Sequence, residues 1–177
     1  MDKIFDKKYS IELPKLELGE QEEVFLVDKS FFEHFEHSPI KEGDLKIIAK
    51  ITKYNTHLDV TFDIKGDIVL ECDRCLEDYP HKIKNSQRVI YTYDEKSDQE
   101  ADDVVLIDKK EPLLLLGNDL YELIILEVPI RKVPLPSVHK CAPEVLALIN
   151  NVDGQGNRTE EEEIDPRWNE LKKLKDK

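Results

Sequence analysis

The sequence has few glycines and none of the common catalytic motifs, and these shortages exclude several classes of enzyme. Its six glycines form neither a phosphate-binding loop nor a dinucleotide-binding turn, because both motifs need glycines at fixed spacing. The Gly-x-Ser-x-Gly and His-Glu-x-x-His motifs are also missing. Carboxylates are abundant, but they stand in acidic runs that are typical of solvated surfaces. The sequence therefore predicts a protein that is not an enzyme.

Long apolar runs are missing as well. No stretch approaches the roughly 18 uncharged apolar residues that a transmembrane helix needs. The N-terminal sequence MDKIFDKKYSIELPKL lacks the apolar centre of a secretory signal. The three cysteines are too few and odd in number for a disulfide framework, so we expect reduced thiols. The sequence predicts a cytoplasmic protein that does not bind membranes.

Positive charge is in short supply, since the formal net charge is -13. A cationic surface provides most of the affinity for nucleic-acid backbones, so this balance opposes sequence-independent binding to RNA or DNA. Direct contact with RNA would have to use local basic patches. These patches contain Lys82, Lys84, Arg88, Arg131, Lys132 and the lysines near the C-terminus. The alternative is that the acidic surface steers encounter with a basic protein.

Alternating apolar residues predict an antiparallel sheet between residues 45 and 72. We expect a hairpin turn at residues 54–56, and we expect Gly66 to mark a second turn or a bulge. The clearest alternation places one set of side chains on a single face: Leu58, Val60, Phe62 and Ile64. A further strand is expected after residue 80, with alternating Val89, Tyr91 and Tyr93.

Helical spacing of apolar residues predicts a core helix near residues 119–127. Asn118 or Asp119 would cap this helix, and Pro129 would follow its end. The predicted fold class is therefore α+β, with an antiparallel β-meander packed on a core helix. We expect residues 1–150 to form this single domain, within which the acidic stretch at 94–103 would be a solvated loop.

Beyond the domain, residues 151–164 have the composition of an acidic flexible linker, and residues 165–177 predict a tethered amphipathic helix. The helix begins with a possible cap at Asp165 and has Pro166 in its first turn. Its candidate partner-binding residues are an apolar stripe and two neighbouring lysines: Trp168, Leu171, Leu174, Lys172 and Lys173. This stripe would dock either on its own domain or on a partner.

The Cys-Asp-Arg-Cys sequence at residues 72–75 permits three interpretations. A structural zinc site needs four thiolate or imidazole ligands, and the set that completes one here is Cys72, Cys75, His139 and Cys141. A redox pair needs a stabilised thiolate, but acidic residues surround the motif and only Arg74 opposes them. In the third interpretation, Cys72 is a small buried residue at the end of a strand and Cys75 shapes the turn. The cofactor is therefore either zinc or none.

Three segments in order, CDRCLEDY, DLYELIILEVP and DPRWNELKKLK, resemble the YceD family, the large ribosomal RNA subunit accumulation proteins. The resemblance implies a non-enzymatic factor in large ribosomal subunit biogenesis. Its partner would be a ribosomal protein, an assembly factor or the large-subunit ribosomal RNA precursor.

The resemblance also implies a metal site, because family members are often described as metal-binding on the basis of two cysteine pairs. This chain differs in the second pair, where it has Cys141 alone and His139 two residues before it. An alternative function is that of a zinc-binding or thiol-redox protein acting outside the ribosome pathway.

Overall fold

A computed structural model describes residues 3–93, 104–108 and 110–152 of the chain. The acidic loop predicted at 94–103 lies outside the described residues. So do the terminal helix predicted at 165–177 and all of the predicted linker except residues 151–152, which end the last helix. No helix in the described ranges is long and apolar enough to cross a membrane.

Seven strands and four helices follow one another along the described chain. The strands are β1 (Ser10–Glu12), β2 (Gly19–Val27), β3 (Glu42–Lys53), β4 (His57–Glu71), β5 (Asp78–Thr92), β6 (Val104–Leu106) and β7 (Leu113–Leu115). The helices are α1 (Lys3–Lys8), α2 (Lys29–Phe32), α3 (Gly117–Ile125) and α4 (Pro143–Val152), and a 3-10 turn covers Leu13–Lys15. This composition makes the fold α+β.

The main sheet has five strands in the order β2-β3-β4-β5-β6. The first three pairings are antiparallel, and β6 pairs with β5 in parallel. The predicted hairpin turn at 54–56 is confirmed, because the backbone N–H of Tyr54 donates to the carbonyl of His57 at 2.9 Å. A second, two-stranded sheet joins β1 to β7.

The core forms against one face of the main sheet. Alternate residues of β4 from Leu58 to Leu70 are buried, as the apolar pattern predicted, except the half-buried Gly66. Cys72 continues the same inward direction with no exposed surface. Leu120 and Ile124 of α3 belong to the same hydrophobic cluster. The inward direction of Cys72 places its thiol at the end of the core, beneath the turn that leads into β5.

The prediction for Gly66 was wrong. Strand β4 passes through this residue with unbroken register, facing Leu45 on one side and Ile83 on the other, so there is neither a turn nor a bulge. The glycine is needed because its φ is +148° and an added Cβ would lie 2.1 Å from the carbonyl oxygen of Asp44. The close approach of the neighbouring strand, rather than a change of chain direction, explains the residue.

The predicted helix exists, but its predicted cap is wrong. Helix α3 begins at Gly117, and the N-cap residue before it, Leu116, makes no side-chain capping bond. Asp119 instead accepts a hydrogen bond from the hydroxyl of Tyr91 at 2.5 Å. Asp119 therefore bonds to a residue 28 positions away in sequence instead of capping its own helix.

Candidate metal centre

The first two thiols are positioned by a tight turn between β4 and β5. The backbone N–H of Cys72 donates to the carbonyl of Glu77, and the N–H of Leu76 donates to the carbonyl of Cys72, both at 2.9 Å. Leu76 adopts a left-handed conformation with φ of +60°, which is uncommon for a residue with a branched side chain. The chain therefore folds back within a few residues and keeps Cys72 close to Cys75.

The other two donors come from the segment between α3 and α4. The backbone N–H groups of Val138 and His139 both donate to the carbonyl of Leu135, at 2.9 and 3.1 Å. This turn presents His139, and Cys141 follows just before α4 begins at Pro143. A helix start at this position is favourable, since proline is favoured in the first turn of a helix.

The four predicted ligands converge. Their donor atoms, the Sγ atoms of the three cysteines and a ring nitrogen of His139, all lie within 4.8 Å of one another. The Sγ atoms of Cys72 and Cys141 are 3.8 Å apart. Two thiolates bound tetrahedrally to zinc, each at about 2.3 Å, would also lie about 3.8 Å apart.

The second pair is closer than a shared metal would place it. The Cys75 Sγ and His139 Nε2 atoms are 3.0 Å apart, the distance of a hydrogen bond. A zinc ion between them would widen this separation to about 3.6 Å, a small displacement for two half-buried side chains. Three thiols and an imidazole match the donor set of a closed structural zinc site. The cluster can therefore hold a metal such as zinc.

The pKa values of Cys72 and Cys141 are shifted in opposite directions by their surroundings. Burial acts to raise the pKa of Cys72, but the backbone N–H groups of Cys75 and Arg74 favour its thiolate and bring the pKa below the usual value. Desolvation, together with the adjacent Cys75 and Cys72, raises the pKa of Cys141 to about 11. A divalent cation held by these residues would keep both thiols deprotonated, because coordinated thiols lose their protons.

The two other interpretations of the cysteines explain less of the geometry. All three cysteines are free, and the 3.8 Å between Cys72 and Cys141 is well beyond the roughly 2.05 Å of a disulfide bond. Cys72 is fully buried, so in a redox pair only the half-buried Cys75 could meet a substrate. Packing accounts for the burial of Cys72 but not for the approach of His139 to Cys75 across 64 residues.

Asp73 joins the two segments that carry the ligands. Its backbone N–H donates to the carbonyl of Lys132 at 2.9 Å. Its carboxylate accepts the backbone N–H of Lys132 at 2.6 Å and lies 3.5 Å from the Lys132 ammonium. The sequence indicated only that Asp73 adds negative charge near the thiols. Its role in positioning depends on a partner 59 residues away, which no local pattern reveals.

The remaining predicted site residues have different outcomes. Trp168, Leu171, Leu174, Lys172 and Lys173 lie outside the described residues. Arg88 forms an ion pair with Asp59 at 2.5 Å. Lys82 and Arg131 are far apart in sequence, but both line a surface groove between β5 and the segment that follows α3.

The chain was compared with protein families, curated proteins and solved structures. A family model described as Large ribosomal RNA subunit accumulation protein YceD matches residues 60–175. The match covers about two thirds of the chain and includes both segments that carry the candidate ligands. Comparisons with curated proteins and with solved structures found no match.

Proposed function

The chain belongs to the YceD family of large ribosomal RNA subunit accumulation proteins, and from this membership we propose that it is a non-enzymatic factor in large ribosomal subunit biogenesis. The family match over residues 60–175 is the observation that carries the proposal. The protein would act in the cytoplasm and support the accumulation of large-subunit ribosomal RNA.

The proposed partner is a basic protein, either a ribosomal protein or another assembly factor. The net charge of -13 favours such a partner over direct binding to the ribosomal RNA precursor, because an acidic surface attracts a basic one and repels phosphate. Long-range attraction of this kind increases the rate of encounter and weakens as salt screens it.

The proposed cofactor is one zinc ion held by Cys72, Cys75, His139 and Cys141. Four protein ligands close the coordination sphere and leave no position for a reactive water, so the ion would be structural. It would join the turn between β4 and β5 to the segment before α4. Since metal binding and folding are coupled in such sites, the ion would fix the position of the described residues that follow α3.

The terminal helix predicted at residues 165–177 is the proposed partner-binding element. Its apolar stripe contains Trp168, Leu171 and Leu174, and Lys172 and Lys173 lie beside it in sequence. A helix of this length is unstable alone in water, so the stripe has to dock on another surface. The predicted linker at 151–164 would let it reach a groove on a partner.

The ratio of large-subunit to small-subunit ribosomal RNA tests the proposed function. A clean deletion of the gene should lower this ratio, and the wild-type protein should restore it. Trp168→Ala should keep the thermal midpoint of the wild type but fail to restore the ratio or to co-purify with precursor particles. A large fall in midpoint with normal rescue would instead show that Trp168 packs on its own domain.

An unchanged RNA ratio in the deletion strain would contradict the proposed function for this protein. If the purified protein nevertheless contained zinc, that combination would support the alternative of a zinc-binding or thiol-redox protein outside the ribosome pathway.

A further inference from the structure

A groove of about 450 Å³ lies beside the metal centre. Tyr79 forms part of its wall, and the ring centre of Tyr79 is 6.2 Å from that of His139. Most of the lining is apolar and comes from β5 and from the segment after α3: Pro80, Pro129, Val133, Pro134, Leu135 and Val138. Leu135 and Val138 are largely exposed, at 71% and 51%. The groove therefore presents uncovered apolar surface.

Basic side chains border this apolar lining. Lys82 and Arg131 are exposed and His81 is half-buried. Neither Lys82 nor Arg131 forms an ion pair with a described residue, although Lys41 and Lys132 do. Asp67 is the acid among the described lining residues. Lys82 stands opposite this Asp67 in the register of β4 and β5, so the described lining carries two permanent cations against one carboxylate. The occupant that complements it is acidic and apolar.

We propose that the groove binds the acidic segment at residues 159–165 of the same chain, Thr-Glu-Glu-Glu-Glu-Ile-Asp. The carboxylates of Glu160–Glu163 complement Lys82 and Arg131, and Ile164 supplies an apolar side chain for the lining. Nucleic acid is a poorer match, because the lining is mainly apolar and the chain carries a net charge of -13. The inference does not depend on the proposed function, and the apolar stripe of the predicted terminal helix, Trp168, Leu171 and Leu174, lies beyond the bound segment in sequence.

The position of α4 makes this contact reachable. The helix begins two residues after Cys141, and its ten residues extend about 15 Å at 1.5 Å per residue. Residues 153–160 can span up to about 26 to 29 Å when extended, which is enough to return to the groove. The tether also gives the segment an effective concentration of the order of millimolar, so weak ion pairs with Lys82 and Arg131 and the burial of Ile164 hold it by acting together.

Carbodiimide cross-linking of the full-length protein tests the proposed contact. The reagent joins a lysine amine to a carboxylate in direct contact, and peptide mass spectrometry identifies the two residues. We expect a bond between Lys82 and one of Glu160–Glu163 in the monomer fraction. The ion pair of Lys41 with Glu71, with Nζ and Oε2 2.9 Å apart, is the internal positive control.

Arg131→Glu tests the groove while leaving Lys82 available to the reagent. The yield of the Lys82 cross-link should fall roughly fivefold, because a reversed charge replaces attraction with repulsion. Lys84→Glu is the matched control, since Lys84 is an exposed residue of the same strand that does not line the groove. This control should leave the yield unchanged, and the cross-link of Lys41 with Glu71 should persist in both variants and show that they are folded.

Three results would overturn the proposal. The first is no cross-link from Lys82 to residues 160–163 while the positive control forms. The second is a cross-link found only in dimers, which would assign the bound segment to a second copy of the chain. The third is an equal loss of yield in Arg131→Glu and Lys84→Glu, which would show that general charge rather than the groove determines the contact.

Discussion

Replacing Asp73 with alanine should weaken metal binding although Asp73 is not a ligand. The substitution removes the carboxylate that accepts the backbone N–H of Lys132 at 2.6 Å and pairs with the Lys132 ammonium at 3.5 Å. The backbone hydrogen bond from Asp73 to the carbonyl of Lys132 remains possible. The segment that carries His139 and Cys141 therefore loses part of its attachment to the turn that carries the other two thiols.

The expected size of the effect follows from the exposure of this contact. A hydrogen bond to a charged group contributes about 1.5 to 3 kcal/mol. The Asp73 side chain is 40% exposed, so water replaces part of the lost interaction and the lower end of that range applies. Because about 1.4 kcal/mol corresponds to a tenfold change in a binding constant, we expect zinc affinity to fall about tenfold.

Competition with a chromogenic zinc chelator measures this affinity. Asp73→Asn is the matched control, since it keeps an oxygen that can accept the Lys132 N–H and loses only the weak ion pair, so its affinity should stay within about threefold of the wild type. Equal affinities of the wild type and Asp73→Ala would refute the reasoning. So would equal losses in Asp73→Ala and Asp73→Asn, because charge alone would then explain the effect.

Two further predictions concern the fold. In urea unfolding, Gly66→Ala should lower the free energy of unfolding by about 2 to 6 kcal/mol, from backbone strain and the clash with Asp44. Gly19 has a φ of +111° and nothing within 4 Å of an added Cβ, so Gly19→Ala should lose only the part due to strain, about 1 to 3 kcal/mol. Equal losses in the two variants would contradict the contribution of the clash. Burial raises the pKa of Asp119 above 3.8 despite the opposing hydrogen bond from Tyr91. The folded state therefore binds more protons than the unfolded state, and the contribution of Asp119 to stability falls as pH rises through the raised pKa. Asp119→Asn should remove that part of the pH dependence, and identical pH profiles of the two proteins would contradict it.

The sequence predicted elements well where a local pattern determines them. Burial alternates along β4 as expected because neighbouring side chains of a strand point to opposite faces. Prediction from the sequence failed where the contact that determines a residue's role comes from a residue distant in sequence. The glycine at position 66 reflects the approach of Asp44 from the adjacent strand, and the role of Asp119 reflects Tyr91.

The candidate site shows the same limit. Thiol and imidazole chemistry was enough to select the four candidate ligands, because few such side chains exist in the chain. Their proximity could not be derived locally, since Cys75 and His139 are 64 residues apart. The groove was missed for the same reason, because Lys82 and Arg131 come together only when the segment after α3 folds against β5.

The zinc content of the protein purified without chelators is the most direct test of the metal centre. Elemental analysis should give one zinc per chain, and Cys75→Ser should lose the ion and unfold at a lower temperature, because binding and folding are coupled. A wild-type protein free of metal, together with a Cys75→Ser variant of normal thermal stability, would contradict the zinc site and leave packing as the role of these cysteines.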